Sequence, residues 1–401
     1  MSLLKRLLLM GGALLLTGLL IIFPKEALEA SKNGLDIWWK IVFPSLLPFF
    51  IMSELLIRLG TMNIIGRIFE PFMRPLFHVP GIGSLAFIMG MVSGYPTGAK
   101  ITSRLREEKK LTQIEAERLI SFTNAASPLF IFGAIAIGFF NDARIGTLLA
   151  LSHYGGNFIV GLIIKYVYTD QKKYSINNKK GKLFQQVIQD LKQTTEKESK
   201  KPLGEILGNS IYHSIQTLLM IGGFITFFSV STQLLLTANI LPMLAQCFEI
   251  ILSVLSVPAE MSIPFLTGLF EVTIGVQNIA KLKFTSSLQL IIFISFLLGF
   301  NGFSIQSQVA SMISKTDIRF SRYFYSRLLH GFTAGGLTYV LYHYFFQIDT
   351  ISVSDFHKRI AESLLFIQEA FHFLTIIGPI ITILSIGYAC YYQMRQFKIK
   401  N

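Results

Sequence analysis

Residues 82–99 read IGSLAFIMGMVSGYPTGA, and residues 119–140 read LISFTNAASPLFIFGAIAIGFF. Each is apolar enough and long enough, at about 20 residues, to enter a bilayer, yet neither can be a plain helix. The first is interrupted by Gly94-Tyr95-Pro96-Thr97-Gly98 and the second by Thr123-Asn124-Ala125-Ala126-Ser127-Pro128. Proline has no N–H to donate and its ring clashes with the preceding turn, so both segments kink or unwind. Unwound backbone is tolerated at membrane depth only where protein or water satisfies it, so such breaks line cavities. The pair predicts a re-entrant hairpin followed by a broken span.

The same order of interruptions returns later in the chain. GMVSGYPTGAK is answered by GLFEVTIGVQN, and FTNAASPLF by FNGFSIQSQ. Phe49-Phe50 and Ser53 align with Phe227-Phe228 and Ser231, Gly90 with Gly268, and Phe122 with Phe300. Leu151-Ser152-His153 aligns, one residue out of step, with Leu328-Leu329-His330. Paired broken segments in two related halves are the sequence pointer to a transporter site.

Composition supports the membrane reading. Hydrophobic residues make up 52% of the chain and charged residues 15%, against about a quarter charged in soluble domains. The net charge of +13 lies between and beside the apolar runs and brings no basic–aromatic module, so a nucleic-acid partner is not expected. Cys247 and Cys390 lie in apolar surroundings, form no CxxC pair and suggest packing residues. Lys5 and Arg6 precede an apolar run to Phe23 that resembles a signal peptide. That run is long for one and lacks an A-x-A site, so a retained first span is expected.

Charge orients the spans. With the amino end inside, the basic clusters at Arg67 and Arg74, Lys100–Lys110, the linker, Lys315–Arg322 and Arg395–Lys400 all fall on the cytoplasmic side. That holds if 82–99 and 262–280 are re-entrant and 239–257 lies at the outer interface; the halves then run in opposite senses, as an inverted repeat requires. The fold class expected is an all-α polytopic membrane protein of two inverted repeats with re-entrant hairpins and broken transmembrane helices. Residues 1–34 form an amino-terminal transmembrane segment and interfacial stretch, 35–168 the first repeat, and 169–203 a polar cytoplasmic linker with room for a short amphipathic helix at Leu183–Leu191. Residues 204–346 form the second repeat, and 347–401 an interfacial helix and a last span at 373–393. Residues 100–118 read as a surface helix of mixed charge.

The candidate site lies where hairpins and broken spans meet. The first half offers Ser93, Tyr95, Thr97, Lys100, Thr123, Asn124 and Ser127; the second offers Glu271, Thr273, Gln277, Asn301, Ser304, Gln306 and Gln308. Half-helix amino termini carry a partial positive charge that suits an anionic solute, although small polar residues in membrane helices also serve packing alone. Glu271 can take up a coupling proton, bind a cation, pair with Lys100 across the repeat axis, or form a purely structural ion pair. Glu54 and Arg58 read as a helix-surface pair, Glu249 and Glu260 as interfacial, and His153 and His330 as packing or interfacial residues. No HExxH, GxSxG, P-loop or Cys/His metal spacing occurs, so neither an enzyme nor a bound metal or other cofactor is expected, apart from a coupling proton or cation. Without a P-loop, solute must follow a gradient or a coupled ion.

GMVSGYPTGAKI, FTNAASPLFI, FLTGLFEVTIG and LGFNGFSIQSQV together resemble the sporulation integral membrane proteins of the YlbJ type, also called the SpoVV family, over about residues 35–345. That family carries the nucleoside-recognition "Gate" domain and is similar in plan to concentrative nucleoside transporters. The resemblance implies two Gate-like repeats and transport of dipicolinate from the mother cell across the outer forespore membrane. The partners then expected are this small anion, the lipid bilayer and, as an open alternative, a second copy of the chain. A nucleoside or other polar-metabolite carrier of the same fold, or a non-transporting sporulation scaffold, remains the alternative.

Overall fold

The computed structural model describes residues 3–59, 61–168, 202–282 and 287–346. The expected helix at Leu183–Leu191 and the span at 373–393 lie outside the described residues. The chain divides into a unit from Met1 to Leu341 and a second from Tyr342 onward, of which the described part is the end of the last helix.

The first repeat contains α3 (Phe43–Arg58), α4 (Thr61–Phe77), the hairpin arms α5 (Ser84–Val92) and α6 (Thr97–Glu107), α7 (Gln113–Ile120), a π-helix (Leu129–Phe139) and α8 (Ala143–Val167). Ahead of it, α1 (Leu3–Ile22) and α2 (Pro24–Ile37) meet at a bend of 106°, set by Pro24 at the start of α2. The second repeat has α9 (Leu203–Thr237), α10 (Ile240–Val254), hairpin arms α11 (Ser262–Phe270) and α12 (Val272–Ala280), α13 (Ser287–Phe300), α14 (Gly302–Ile313) and α15 (Phe320–Phe346). Ala143–Val167, Gly204–Thr237 and Leu288–Ile313 are each long and apolar enough to cross a membrane.

The repeats match in local detail. Each hairpin is entered through a short 3-10 turn after a proline, Pro80 and Pro258, and a left-handed residue two positions earlier, His78 and Ser256. Ser84 and Ser262 each open the first arm and are buried. Ser53 and Ser231 donate to the carbonyls four residues back, at 2.7 and 2.8 Å. The elements of the second half follow one another in the order of those in the first. The result is an all-α polytopic membrane fold of two inverted repeats.

Two findings differ from the sequence expectations. Residues 100–118 form no surface helix: a turn with Lys109 at φ 55° separates α6 from α7, and a capping box between Thr112 and Glu115 starts the new helix. Ile101, Leu105, Leu111, Ala116 and Leu119 are all buried in one core with Phe77 and Phe122, whose rings stack at 4.4 Å. Their apolar spacing puts one face of each helix into that core. Glu54 is likewise not a surface residue; it is 3% exposed, for reasons given below.

On the other side, α3 packs on α9 through Leu46, Phe50, Leu218, Ile221 and Ile225. Small residues let α2 lie close on α9: Ser229 Oγ donates to the Ala30 carbonyl at 2.9 Å, and Gly34 faces the Thr226 backbone. The repeats are also tied by ion pairs. Glu117, fully buried, accepts from the Arg319 amide at 3.0 Å and its Nε at 2.8 Å, and from Arg322. Arg106 clasps Asp317 through two 2.7 Å bonds, and these hold the Asp317 carboxyl below its ordinary pKa. That pair stabilises the fold above the unfolded carboxyl's pKa and is lost as pH falls through the depressed value.

The hairpin grips the broken span through glycines. A Cβ at Gly90 or at Gly98 would collide with the Thr123 carbonyl oxygen, so the two arms clamp that backbone group from both sides. Gly90→Ala and Gly98→Ala are each expected to destabilise by about 1–3 kcal/mol. Gly12→Ala, where nothing lies within 4 Å, is expected to leave stability unchanged. Thermal unfolding of detergent-solubilised protein measures all three, and an unshifted Tm for both clamp variants would refute the contact.

Candidate functional site

Between α7 and the π-helix the chain leaves helical geometry over residues 121–127. Its backbone groups are satisfied by side chains of α8 and α15. His153 Nε2 accepts from the Ala126 amide at 2.9 Å, and Tyr154 OH donates to the Ala126 carbonyl at 2.9 Å. Asn157 donates to the Phe122 carbonyl. Arg327, fully buried, sends one guanidinium nitrogen to the Asn124 carbonyl at 2.8 Å and the other to the Ser121 carbonyl. The Ser121 carbonyl is that of the α7 C-cap, so the guanidinium meets the helix dipole as well as its hydrogen-bond partners.

Arg327 is itself oriented. His330 Nε2 faces the His153 carbonyl at 2.8 Å and must carry the proton, which leaves Nδ1 to accept from Arg327 at 3.1 Å. The two imidazole rings lie 4.6 Å apart. They are fully buried, so they pack the two repeats together and are not interfacial. Tyr323 OH accepts from Asn124 at 2.6 Å and from Asn301 at 3.1 Å, joining the first break to the second. The second break is a single residue, Asn301 at φ 76°, followed by Gly302 at φ 60°.

A cavity of about 710 Å³ opens beside these breaks, within the range of small-molecule sites. Of the sequence candidates, Ser93, Tyr95, Ser127, Glu271, Thr273, Ser304 and Gln308 line it. Phe130, Phe139, Ile221 and Ile225 supply apolar wall, and Lys40 stands at its edge. The Ser93, Tyr95 and Ser304 hydroxyls are buried and have no hydrogen-bond partner among the described residues. Ser127 Oγ accepts from the Phe130 amide at 3.3 Å and so caps the π-helix. Gly94, at φ 84°, seats the hairpin tip against Ser127 where a Cβ would not fit.

The other candidates lie elsewhere. Thr123, Asn124, Asn301 and Gln306 are buried in the joint between the breaks, and Gln306 Nε2 donates to the Phe300 carbonyl at 3.0 Å. Gln277 lines a second cavity. Thr97 and Lys100 line a narrow crevice against α3. There Glu54 accepts from Lys100 at 3.0 Å and Arg104 at 2.7 Å, with Arg58 at 3.9 Å. Lys100 therefore does not pair with Glu271, because Glu54 is the carboxylate within its reach. Glu271 instead accepts from the Ile274 amide at 2.8 Å and caps α12, setting its charge against that helix's positive end. Glu249 accepts from Ser262 Oγ at 3.2 Å, and Cys247 is exposed.

Sequence reading missed Arg327, Tyr323 and Asn157, the side chains that hold the first break open. The available signal was a lone arginine beside an apolar run, in a place where an ionisable group demands a partner.

The geometry defines the class: paired hairpins, broken helices and a cavity beside them make a membrane transporter-like fold. The family model described as "Gate: Nucleoside recognition" matches residues 39–143 and 218–319. The sporulation integral membrane protein YlbJ of Bacillus subtilis (strain 168) is 46% identical over 344 residues, covering 85% of this chain and 84% of that protein. The chain belongs to this family of Gate-domain sporulation integral membrane proteins. CNTnw in an inward-facing substrate-bound state aligns over 87% of each chain at 11% identity and a TM-score of 0.39, and a doubly substituted CNTnw in an outward-facing state over 84% of this chain and 87% of that one at 12% and 0.35.

Arg327→Met removes donors from the Ser121 and Asn124 carbonyls in a site closed to water. The expected cost is about 2–5 kcal/mol, with Arg327→Lys intermediate because one ammonium cannot span both carbonyls. Thermal unfolding in detergent checks it; a wild-type Tm for Arg327→Met would refute the bracing role.

Proposed function

We propose that this protein transports a small anionic solute, dipicolinate, from the mother cell across the outer forespore membrane during sporulation. The observation that carries the reading is the set of buried, unpartnered hydroxyls of Ser93, Tyr95 and Ser304 on a cavity with aromatic walls. Hydroxyls donate to carboxylate oxygens without the desolvation cost of buried cations. Phe130, Phe139 and Tyr95 offer faces for a planar ring. The amino ends of the π-helix and α14 lie at the same wall through Ser127, Leu129 and Ser304, adding partial positive charge. Glu271 opposes a dianion, so a coupling proton or cation neutralises it when solute is bound.

A second reading, a nucleoside, is favoured by Glu271 itself, since a carboxylate on the cavity wall accepts from sugar hydroxyls. Uptake of labelled dipicolinate and of labelled nucleosides by proteoliposomes separates the two. The expected result is dipicolinate uptake that Ser93→Ala and Ser304→Ala each weaken by about 2- to 10-fold in KM, with Glu271→Gln abolishing the response to an imposed ion gradient. Uptake of nucleosides with none of dipicolinate would overturn the solute assignment.

A further inference from the structure

A second cavity of about 420 Å³ lies between α2, α9, α11 and α12. Its wall carries the carboxamides of Asn33, Gln233, Gln277 and Asn278, together with Asp36 and Thr267. Thr267 is fully buried and its Oγ1 has no partner among the described residues. Asn33, Gln233 and Gln277 are exposed, a poor match to lipid and a good one to a wet compartment.

The two cavities share a thin partition. Ile37 lines both. On α12, Thr273 faces the first cavity and the next residue, Ile274, faces the second. At the end of α2, Asp36 lines the second cavity, and Lys40, four residues on and its partner at 2.8 Å, lines the first. The partition is thus the end of α2 and the first turn of α12, crossed by an exposed ion pair that exchanges readily with water.

We propose that the second cavity is a separate binding compartment for the transported solute, and that solute passes between the two past Ile37 and the first turn of α12. The ligand class is a small planar carboxylate: amide N–H groups grip its oxygens without a fixed positive charge, and the Asp36–Lys40 pair leaves no net charge against it. Naming the ligand rests on the proposed function; the existence of two linked compartments does not.

The test uses full-length protein in detergent with Cys247→Ser and Cys390→Ser, carrying one reporter cysteine, Ser127→Cys in the first cavity or Asn278→Cys in the second. Gln277→Cys stands in if Asn278→Cys is not monodisperse. The rate of alkylation by a small thiol reagent is measured with and without dipicolinate, then uridine. The expected result is slowing at both positions by about tenfold at ten times Kd, and loss of uptake by proteoliposomes carrying Ile37→Trp with protection at Asn278→Cys in detergent retained. Protection at Ser127→Cys alone, or normal uptake by Ile37→Trp, overturns the inference while the transport reading stands. Protection of both by uridine and of neither by dipicolinate removes the solute assignment and keeps the two compartments. Protection of neither by either solute overturns both.

Discussion

Everything at the centre of this molecule depends on keeping residues 121–127 out of a helix without stranding their peptide groups. In a membrane an unsatisfied amide or carbonyl costs several kcal/mol, and lipid offers no partner. The Arg327 guanidinium solves the acceptor side, because its planar fork reaches the Ser121 and Asn124 carbonyls together. His153, Tyr154 and Asn157 complete the set from α8. A charge that would be prohibitive alone becomes a brace, since the carbonyl end of α7 is the partner it needs.

The two repeats solve the same problem differently. The first break is long and is held by side chains from elsewhere; the second needs only Asn301 and Gly302 in left-handed conformation. Asparagine and glycine adopt that conformation at little cost, so α13 resumes as α14 after one residue. The long break buries several polar groups and can present Ser127 and the start of the π-helix to the cavity. The short one places Ser304, on the first turn of α14, at the same wall. Asymmetry between repeats is what lets a pseudo-symmetric pair form a site with distinct ends.

How much of this was legible follows from what each signal measures. The breaks at GYPTG and TNAASP, the hairpins and the repeat were visible because Pro, Gly and Asn act locally on the backbone. The correspondence of Gly90 with Gly268 was visible for the same reason. Positions set by tertiary contact were not. Arg327 beside an apolar run signals that a partner is needed but not which one, and the partner of Lys100 is Glu54, on another helix. Residues 100–118 misled because their charges suggest a solvated face, whereas Glu117 and Arg118 are buried by ion pairing and carbonyl contacts. Thr97, Lys100 and Gln277 were grouped with the cavity by sequence proximity to the breaks, but a helix turn is enough to send a side chain to another compartment.

The charge left at the cavity after these pairings constrains any transport cycle. Lys100 is committed to Glu54 and Arg327 to the α7 carbonyls, so neither is available to neutralise an arriving anion. Glu271, the carboxylate at the cavity wall, is balanced by the positive end of α12, a partial charge of about one half, and by the Thr273 hydroxyl. A dicarboxylate entering such a site adds two negative charges where the protein supplies dipoles and hydroxyls, the ammonium of Lys40 being already paired with Asp36. The site can hold it only if a cation or proton arrives as well, and Glu271 is the group placed to receive one. Because Glu271 also caps α12, its neutralisation weakens the hold on the very turn that divides the two cavities. Charge compensation and the capping of that turn are in this way linked through one side chain.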